Sequence, residues 1–179
     1  MNQPIIEVRL LSEQEAHERL ADLTAILADC IDDNASVGFM RSFAVSEGHA
    51  YWRDVATSVG RREILLYGAF LSGALVGTVQ VGFALKPNQP HRADLMKLLV
   101  HRSARNLGLA RRLMAAAEEG AASSGRWLLV LDTARGELAE QLYDRLGWQR
   151  SGIIPDYALF PDGRYCDTVV FYKSLRASL

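Results

Sequence analysis

Cysteine is scarce in this chain. Cys30 and Cys166 stand far apart, in no C-x-x-C pair, so the sequence offers neither a disulfide framework nor a thiol-rich metal site. Two such residues read as reduced, buried small hydrophobes in an intracellular protein. Excess charge is missing too. Basic residues number 20 and acidic residues 21, for a formal net charge of −1. That balance argues against general nucleic-acid binding, because no surplus of Lys and Arg is left to neutralise phosphates. The 49% apolar content excludes a disordered chain, which needs low hydrophobicity and high net charge. Long apolar runs are also absent. Stretches such as Trp127–Leu131 fall far short of the ~20 residues that span a bilayer. Met1–Arg9 has no basic region followed by an apolar stretch, so no signal peptide is expected. A cytoplasmic setting without a membrane partner follows as the expectation. His17, His49, His91 and His101 form no H-E-x-x-H or other ligand spacing, so no metal is expected.

What is present is an ordinary globular length, 179 residues, enough to bury roughly 70% of the unfolded surface in a core. No linker, repeat or low-complexity tract cuts it, and one α/β domain over 1–179 is expected. Ile5–Leu10 alternates as a strand. Ser12 and Glu15 form a capping-box pattern, opening a helix with Leu20, Leu23, Ile26, Leu27 and Cys30 on one face. It should stop near Asp32–Asn34, with Ala35–Met40 as a loop. A second helix is expected from Glu47 to Val59, capped by Ser46. Ile64–Leu71 and Ala74–Leu85 read as a hairpin around Ser72–Gly73, and Lys86–Pro90 as a loop.

The second half alternates strand and helix. Arg92–Val100 is a strand, Leu107–Ser123 a helix with an Ala110, Leu113, Met114, Ala117, Ala121 stripe, and Trp127–Asp132 a buried strand. Gly136–Leu146 is a helix that Gly147 ends. Trp148–Leu159 and Cys166–Ser174 close the chain as an antiparallel pair around Pro161–Gly163. Strand–helix–strand in the middle implies two parallel strands; the flanking hairpins make the sheet mixed.

The informative stretch is the strand-to-helix passage from Leu98 to Leu113. A helix start leaves backbone N–H groups unpaired at a positive dipole end, which suits phosphate. Gly108 and Ala110 allow close backbone approach. Arg102, Arg105, Arg111 and Arg112 are expected to form a cationic cluster around it. No G-x-x-x-x-G-K-[ST] or G-x-G-x-x-G stands here, so a nucleotide-binding reading of the Gly108 loop is the weaker one.

Arg105-x-x-Gly108-x-Ala110 resembles the [QR]-x-x-G-x-[GA] loop with which the GNAT superfamily of N-acetyltransferases holds the pyrophosphate of acetyl-CoA. Leu142-Tyr143-Asp144-Arg145-Leu146-Gly147-Trp148 resembles that superfamily's L-Y-x-x-x-G-F signature, with Trp for Phe. Ala35–Met40, Lys86–Asn88, Arg92–Asp94, Leu131–Thr133 and Pro161–Arg164 resemble the branch that includes tabtoxin-resistance acetyltransferases. The resemblance implies an α/β fold of GNAT type: a mixed, mostly antiparallel sheet with a splayed central parallel strand pair and helices on both faces. It implies acetyl-CoA as co-substrate and a small-molecule amine as acceptor, a toxin or antibiotic-like amino compound included. It implies no nucleic-acid partner and a monomer or homodimer. The rival from another class is a non-catalytic acyl-CoA-binding or sensing protein of the same fold, which would have lost the loop, the Tyr or the acids; this chain keeps them.

The resemblance also distributes roles. The backbone at Leu98, Leu99 and Val100 would bond the pantetheine arm in the gap, one amide facing the oxyanion. Arg105, Asn106, Leu107, Gly108, Leu109, Ala110 and Arg111 would hold the pyrophosphate. Asp94 lies roughly 20 Å before Val100 along an extended strand, towards the acceptor, and Asp132 ends the neighbouring strand. Either could take a proton from an ammonium group. Asp94 could equally pair with Arg92 or Lys97, and Asp132 could be a turn residue. Tyr143, a phenol of pKa ~10 facing a thiol of pKa ~8.5, is the candidate general acid. Gly136 stands where many relatives carry Asn.

Overall fold

The computed structural model describes residues 5–176. Residues 1–4 of the stretch read for a signal peptide, and 177–179 at the far end of the expected domain, lie outside it. Strand β1 (Ile6–Leu11) leads into α1 (Glu13–Glu18) and α2 (Leu20–Asp32). The Ser12–Glu15 capping box forms as expected, the Ser12 hydroxyl accepting from the Glu15 N–H and the Glu15 carboxylate from the Ser12 N–H. The single helix expected here is broken at Arg19. Helix α3 (Val45–Gly60) starts earlier than expected. Ser46 does not cap it; Ala44 does, its N–H donating to the Glu47 carboxylate at 2.7 Å.

Strands β2 (Ile64–Leu71) and β3 (Ala74–Phe83) form the expected hairpin, β3 ending two residues before Leu85. Ser72 and Gly73 both take positive φ, 50° and 88°, the backbone a two-residue hairpin turn requires. Strand β4 (Arg92–Val100) has the expected bounds. A short 3-10 turn, Arg102–Ala104, precedes α4 (Leu109–Ser123), which begins two residues after Leu107 because Gly108 is left-handed at φ 75°. Strand β5 (Leu128–Ala134), α5 (Leu138–Arg145), β6 (Gln149–Leu159) and β7 (Tyr165–Ser174) complete the chain.

The strands form one sheet, ordered β1-β2-β3-β4-β5-β7-β6. Among the described residues only β4 and β5 run parallel; every other pair is antiparallel. Helices cover both faces. On one, Leu23, Leu27, Trp52 and Ala56 of α2 and α3 pack on Leu66 and Leu99. On the other, Leu113, Met114 and Ala117 of α4 and Tyr143 of α5 pack on Val79, Val81, Leu129 and Phe171. The expected fold class therefore stands.

Two irregularities place the site. The parallel pair is ladder-bonded only over Arg92–Asp94 and Leu128–Val130, so Leu95–Val100 diverge from β5 and leave a gap. Within β4, Thr78 faces Leu99 while Gln80 faces Met96. The extra residue is a β-bulge, with Lys97 left-handed at φ 51°.

Candidate active site

The gap runs from Asp94 to the start of α4. At its far end the N–H groups of Asn106, Leu107, Gly108, Leu109, Ala110 and Arg111 make no hydrogen bond among the described residues. They converge where the positive end of α4 begins. A Cβ on Gly108 would meet nothing within 4 Å, so this backbone faces open space. The cradle read from the sequence is present as geometry.

The cationic cluster needs correction. Arg102 and Arg105 do not face the cradle as free charges. The Arg102 N–H donates to the Asp29 carboxylate at 2.8 Å, its guanidinium pairs with that carboxylate, and Nη2 donates to the Asp29 carbonyl at 3.0 Å. Arg105 pairs with Asp33 and donates from Nε to the Val100 carbonyl at 3.2 Å. These links tie the loop to the end of α2. His101 is structural as well, its Nδ1 accepting from the Ser103 N–H at 3.3 Å to cap the short turn. Arg111 and Arg112, exposed and in no ion pair among the described residues, are the cations left at the helix start.

Along β4 the backbone directions alternate. The His101 N–H bonds the Val76 carbonyl at 2.9 Å, so Leu99, two residues earlier and opposite Thr78, is committed to β3. Leu98 and Val100 then turn their N–H groups into the gap. The Val100 carbonyl is already engaged by Arg105 and, at 3.9 Å, by the Cys30 thiol.

At the near end lies an open cleft of about 300 Å³, lined by Asp94 and Met96 of β4, Val130 and Asp132 of β5, Tyr157 of β6 and Val170 of β7. Asp94 and Asp132, distant in sequence, thus share one cavity. Their environments differ. Asp94 is held by Arg92 at 2.5 Å, and Arg92 in turn by Gln89 at 3.2 Å. Asp132 is exposed, and among the described residues its carboxylate accepts only from the Thr168 hydroxyl, at 3.2 Å. Tyr143 is buried between Trp148 and Phe171. Burial first, then the Asp132 charge, pushes its phenol well above the usual tyrosine range.

Sequence reasoning missed Lys97. Its ammonium lies over Phe39 and Tyr51, at 5.9 and 5.5 Å from the ring centroids. Burial pulls its pKa down, against the Asp132 charge, which raises it. The one local signal is a lysine inside the apolar run Leu95-Met96-Lys97-Leu98-Leu99. Tyr51 is joined to buried Gln80 at 3.0 Å, and burial pushes its phenol up to about 12. Over this region the α2–α3 loop is fastened to the β6–β7 turn: Asn34 to Asp162 at 3.0 Å, Ser36 to the Leu159 carbonyl at 3.1 Å, and the Arg41 N–H to the Pro161 carbonyl at 3.2 Å.

Gly136 has a local reason. It is left-handed at φ 85°, and its N–H donates to the Glu140 carboxylate at 2.5 Å, closing the start of α5.

Compared with known proteins, residues 51–148 match the family described as Acetyltransferase (GNAT) family. An N-acetyltransferase from Staphylococcus aureus is 20% identical, over 96% of this chain and 99% of its own, with a TM-score of 0.80. A Salmonella typhimurium protein of proposed acetyltransferase activity, solved with its cofactor acetyl-CoA, is 16% identical over 98% and 96%, with a TM-score of 0.79. The ribosomal-protein-alanine N-acetyltransferase of Brucella melitensis is 22% identical over 94% and 99%, with a TM-score of 0.78. At these identities the likeness is one of fold.

Proposed function

The chain belongs to the acetyltransferase (GNAT) family, and from that premise we propose that it moves the acetyl group of acetyl-CoA directly onto the amine of a small molecule. The observation that carries the reading is the gap between β4 and β5. One end opens on the Asp94–Asp132 cleft and the other on the free N–H groups of Asn106–Arg111. Those amides, with Arg111, fit a pyrophosphate, and Gly108 leaves room for it. The N–H groups of Leu98 and Val100 supply donors along the gap for an extended, amide-bearing arm. Acetyl-CoA, when bound there, supplies an acetyl group activated as a thioester.

The chain's own groups then move protons. Asp132, the less encumbered of the two acids, takes a proton from the acceptor ammonium, directly or through water. Asp94, paired with Arg92, shapes the cleft and its field. Tyr143, kept protonated by burial and the Asp132 charge, gives its proton to the departing sulfur and is restored, through water, by the second proton that the acylated nitrogen loses. The cleft of about 300 Å³ sits at the small end of ligand pockets, which supports a small acceptor. Toxin- or antibiotic-like amino compounds are of that size. Asp94 and Asp132 line this cleft and Arg92 pairs with Asp94 beside it; all three belong to segments that resemble the tabtoxin-resistance branch. The two free, buried thiols fit a reduced, cytoplasmic protein.

The test is acetyl-CoA itself. Thermal unfolding should shift upward at tens of micromolar acetyl-CoA, and thiol release should depend on an added amine. No shift at millimolar concentration would sink the reading. Tight binding with no amine-dependent thiol release would favour a sensing role.

A further inference from the structure

We propose that Arg150 is a positioning residue for Tyr143, holding α5 and its phenol in one fixed place beside the gap. The inference rests on the acetyl-transfer reading and adds to it the residue that aims its acid. Helix α5 is 8 residues long, too short to be stable by its own hydrogen bonds. Its N-cap residue, Glu137, makes no side-chain cap. Leu138 stays exposed, and the helix buries two side chains, Tyr143 and the charged Glu140.

A buried carboxylate is costly unless it is paired and hydrogen-bonded. One Glu140 oxygen accepts from the Gly136 N–H at 2.5 Å and the other from Arg150. Arg150 reaches across from β6 and also holds Asp144 with two N–H groups, at 3.0 and 2.5 Å. Glu140 and Asp144 are neighbours one helical turn apart, so a single guanidinium spans the turn that carries Tyr143. The same guanidinium lies 5.3 Å over the Phe171 ring, and Phe171 packs against Tyr143 at 5.7 Å between centroids. Tyr143 is thus constrained by one cation along two routes, through its own helix turn and through its ring neighbour. An apolar side chain in place of Glu140 would serve stability as well. The planar fork joining two carboxylates fixes one geometry, which a lysine cannot reproduce.

The experiment is a double-mutant cycle in acetyl transfer to an amine that the wild-type protein accepts. Arg150→Gln should lower kcat by about tenfold or more, since a shift of about 1 Å at a reacting group can cost about 10²-fold. KM for acetyl-CoA should stay within about twofold. In the Tyr143→Phe background the same change should lower kcat by less than about twofold, because no phenol is left to aim. Arg150→Lys, which reaches one carboxylate without forking across both, should recover only part of the loss. Equal falls in both backgrounds assign Arg150 to the scaffold and overturn the proposal. So does an unchanged kcat in Arg150→Gln. Should a thermal melt show that Arg150→Gln does not fold, Glu140→Gln takes its place in the cycle, keeping an acceptor for the Gly136 N–H and losing the charge. If no amine is acetylated, the transfer reading fails, and fluorine NMR of the fluorotyrosine-labelled protein decides separately. The resonance missing from Tyr143→Phe belongs to Tyr143. Arg150→Gln should broaden or split it while Tyr51 and Tyr67 keep theirs; an unmoved Tyr143 resonance removes the positioning role.

Discussion

Replacing Asp29 by Ala probes how the cradle is held. The Asp29 side chain is 9% exposed and stands 72 to 76 residues away in sequence from the groups around it, Arg102 N–H and guanidinium, Arg105 at 3.9 Å and His101 at 3.6 Å. The contact from the Arg102 N–H to a carboxylate is charge-assisted and worth about 1.5–3 kcal/mol when removed. The guanidinium is half exposed, so its pairing adds only about 0–1 kcal/mol. A loss of about 2–3 kcal/mol follows, since the Arg102 link to the Asp29 carbonyl survives. For a domain of this size that lowers Tm by about 4–12 °C. Part of the loss should reappear in cofactor binding, because a loop no longer tied to α2 must be ordered by its ligand. About tenfold weaker CoA affinity corresponds to 1.4 kcal/mol of such ordering. Differential scanning calorimetry and calorimetric titration with CoA read both quantities. An unchanged Tm would refute the bracing argument. Tighter CoA binding would refute it more sharply, since it would mean that Arg102 and Arg105 are phosphate ligands which Asp29 holds back.

Three further outcomes are expected. Tyr143→Phe should lower kcat by about a hundredfold, a usual weight for a positioned acid, and change CoA affinity by less than about twofold. Because burial and the Asp132 charge raise the Tyr143 pKa, the wild-type kcat profile should show no Tyr143 alkaline limb below about pH 10; a limb at pH 8–9 that Tyr143→Phe abolishes contradicts this. Asp132→Asn should depress kcat/KM by about 10²-fold or more, and Asp94→Asn less, since Asp94 is already committed to Arg92; the reverse order would make Asp94 the base. Gly108→Ala should cost about 1–2 kcal/mol through left-handed backbone alone, because the added Cβ meets nothing. Gly108→Asn should lose less in the same thermal melt, and equal losses would point to a cause other than φ.

Most of the fold was legible because it is written locally. Aliphatic runs marked the strands, and β4 kept its bounds from Arg92 to Val100. The Ser12–Glu15 box and the Ser72–Gly73 turn declared themselves by residue type. Ala44 was not legible as a cap, because it has no side-chain acceptor and borrows the Glu47 carboxylate instead. The cradle was legible through Gly108 and the helix that follows, and the shared cleft of Asp94 and Asp132 through their places on neighbouring strands. The state of the arginines was not. Whether Arg105 meets a phosphate or Asp33 depends on α2 returning beside the loop from 72 residues away, which no local pattern records. Lys97 was hidden for the same reason, since its cage is assembled from Phe39 of a loop and Tyr51 of a helix.

The short ladder between β4 and β5 bears on how the two reactants meet. Three residue pairs and the Leu128 N–H bond to the His91 carbonyl join β4 to β5; beyond them the two halves of the sheet are held by the core under α4 and by the bonds of the α2–α3 loop to the β6–β7 turn. An extended ligand arm laid in the gap would supply lateral hydrogen bonds where β4 and β5 have none. By linkage, any stiffening that raises acceptor affinity when the gap is filled raises affinity for the gap's own ligand equally, so it sets a coupling between the two and no order.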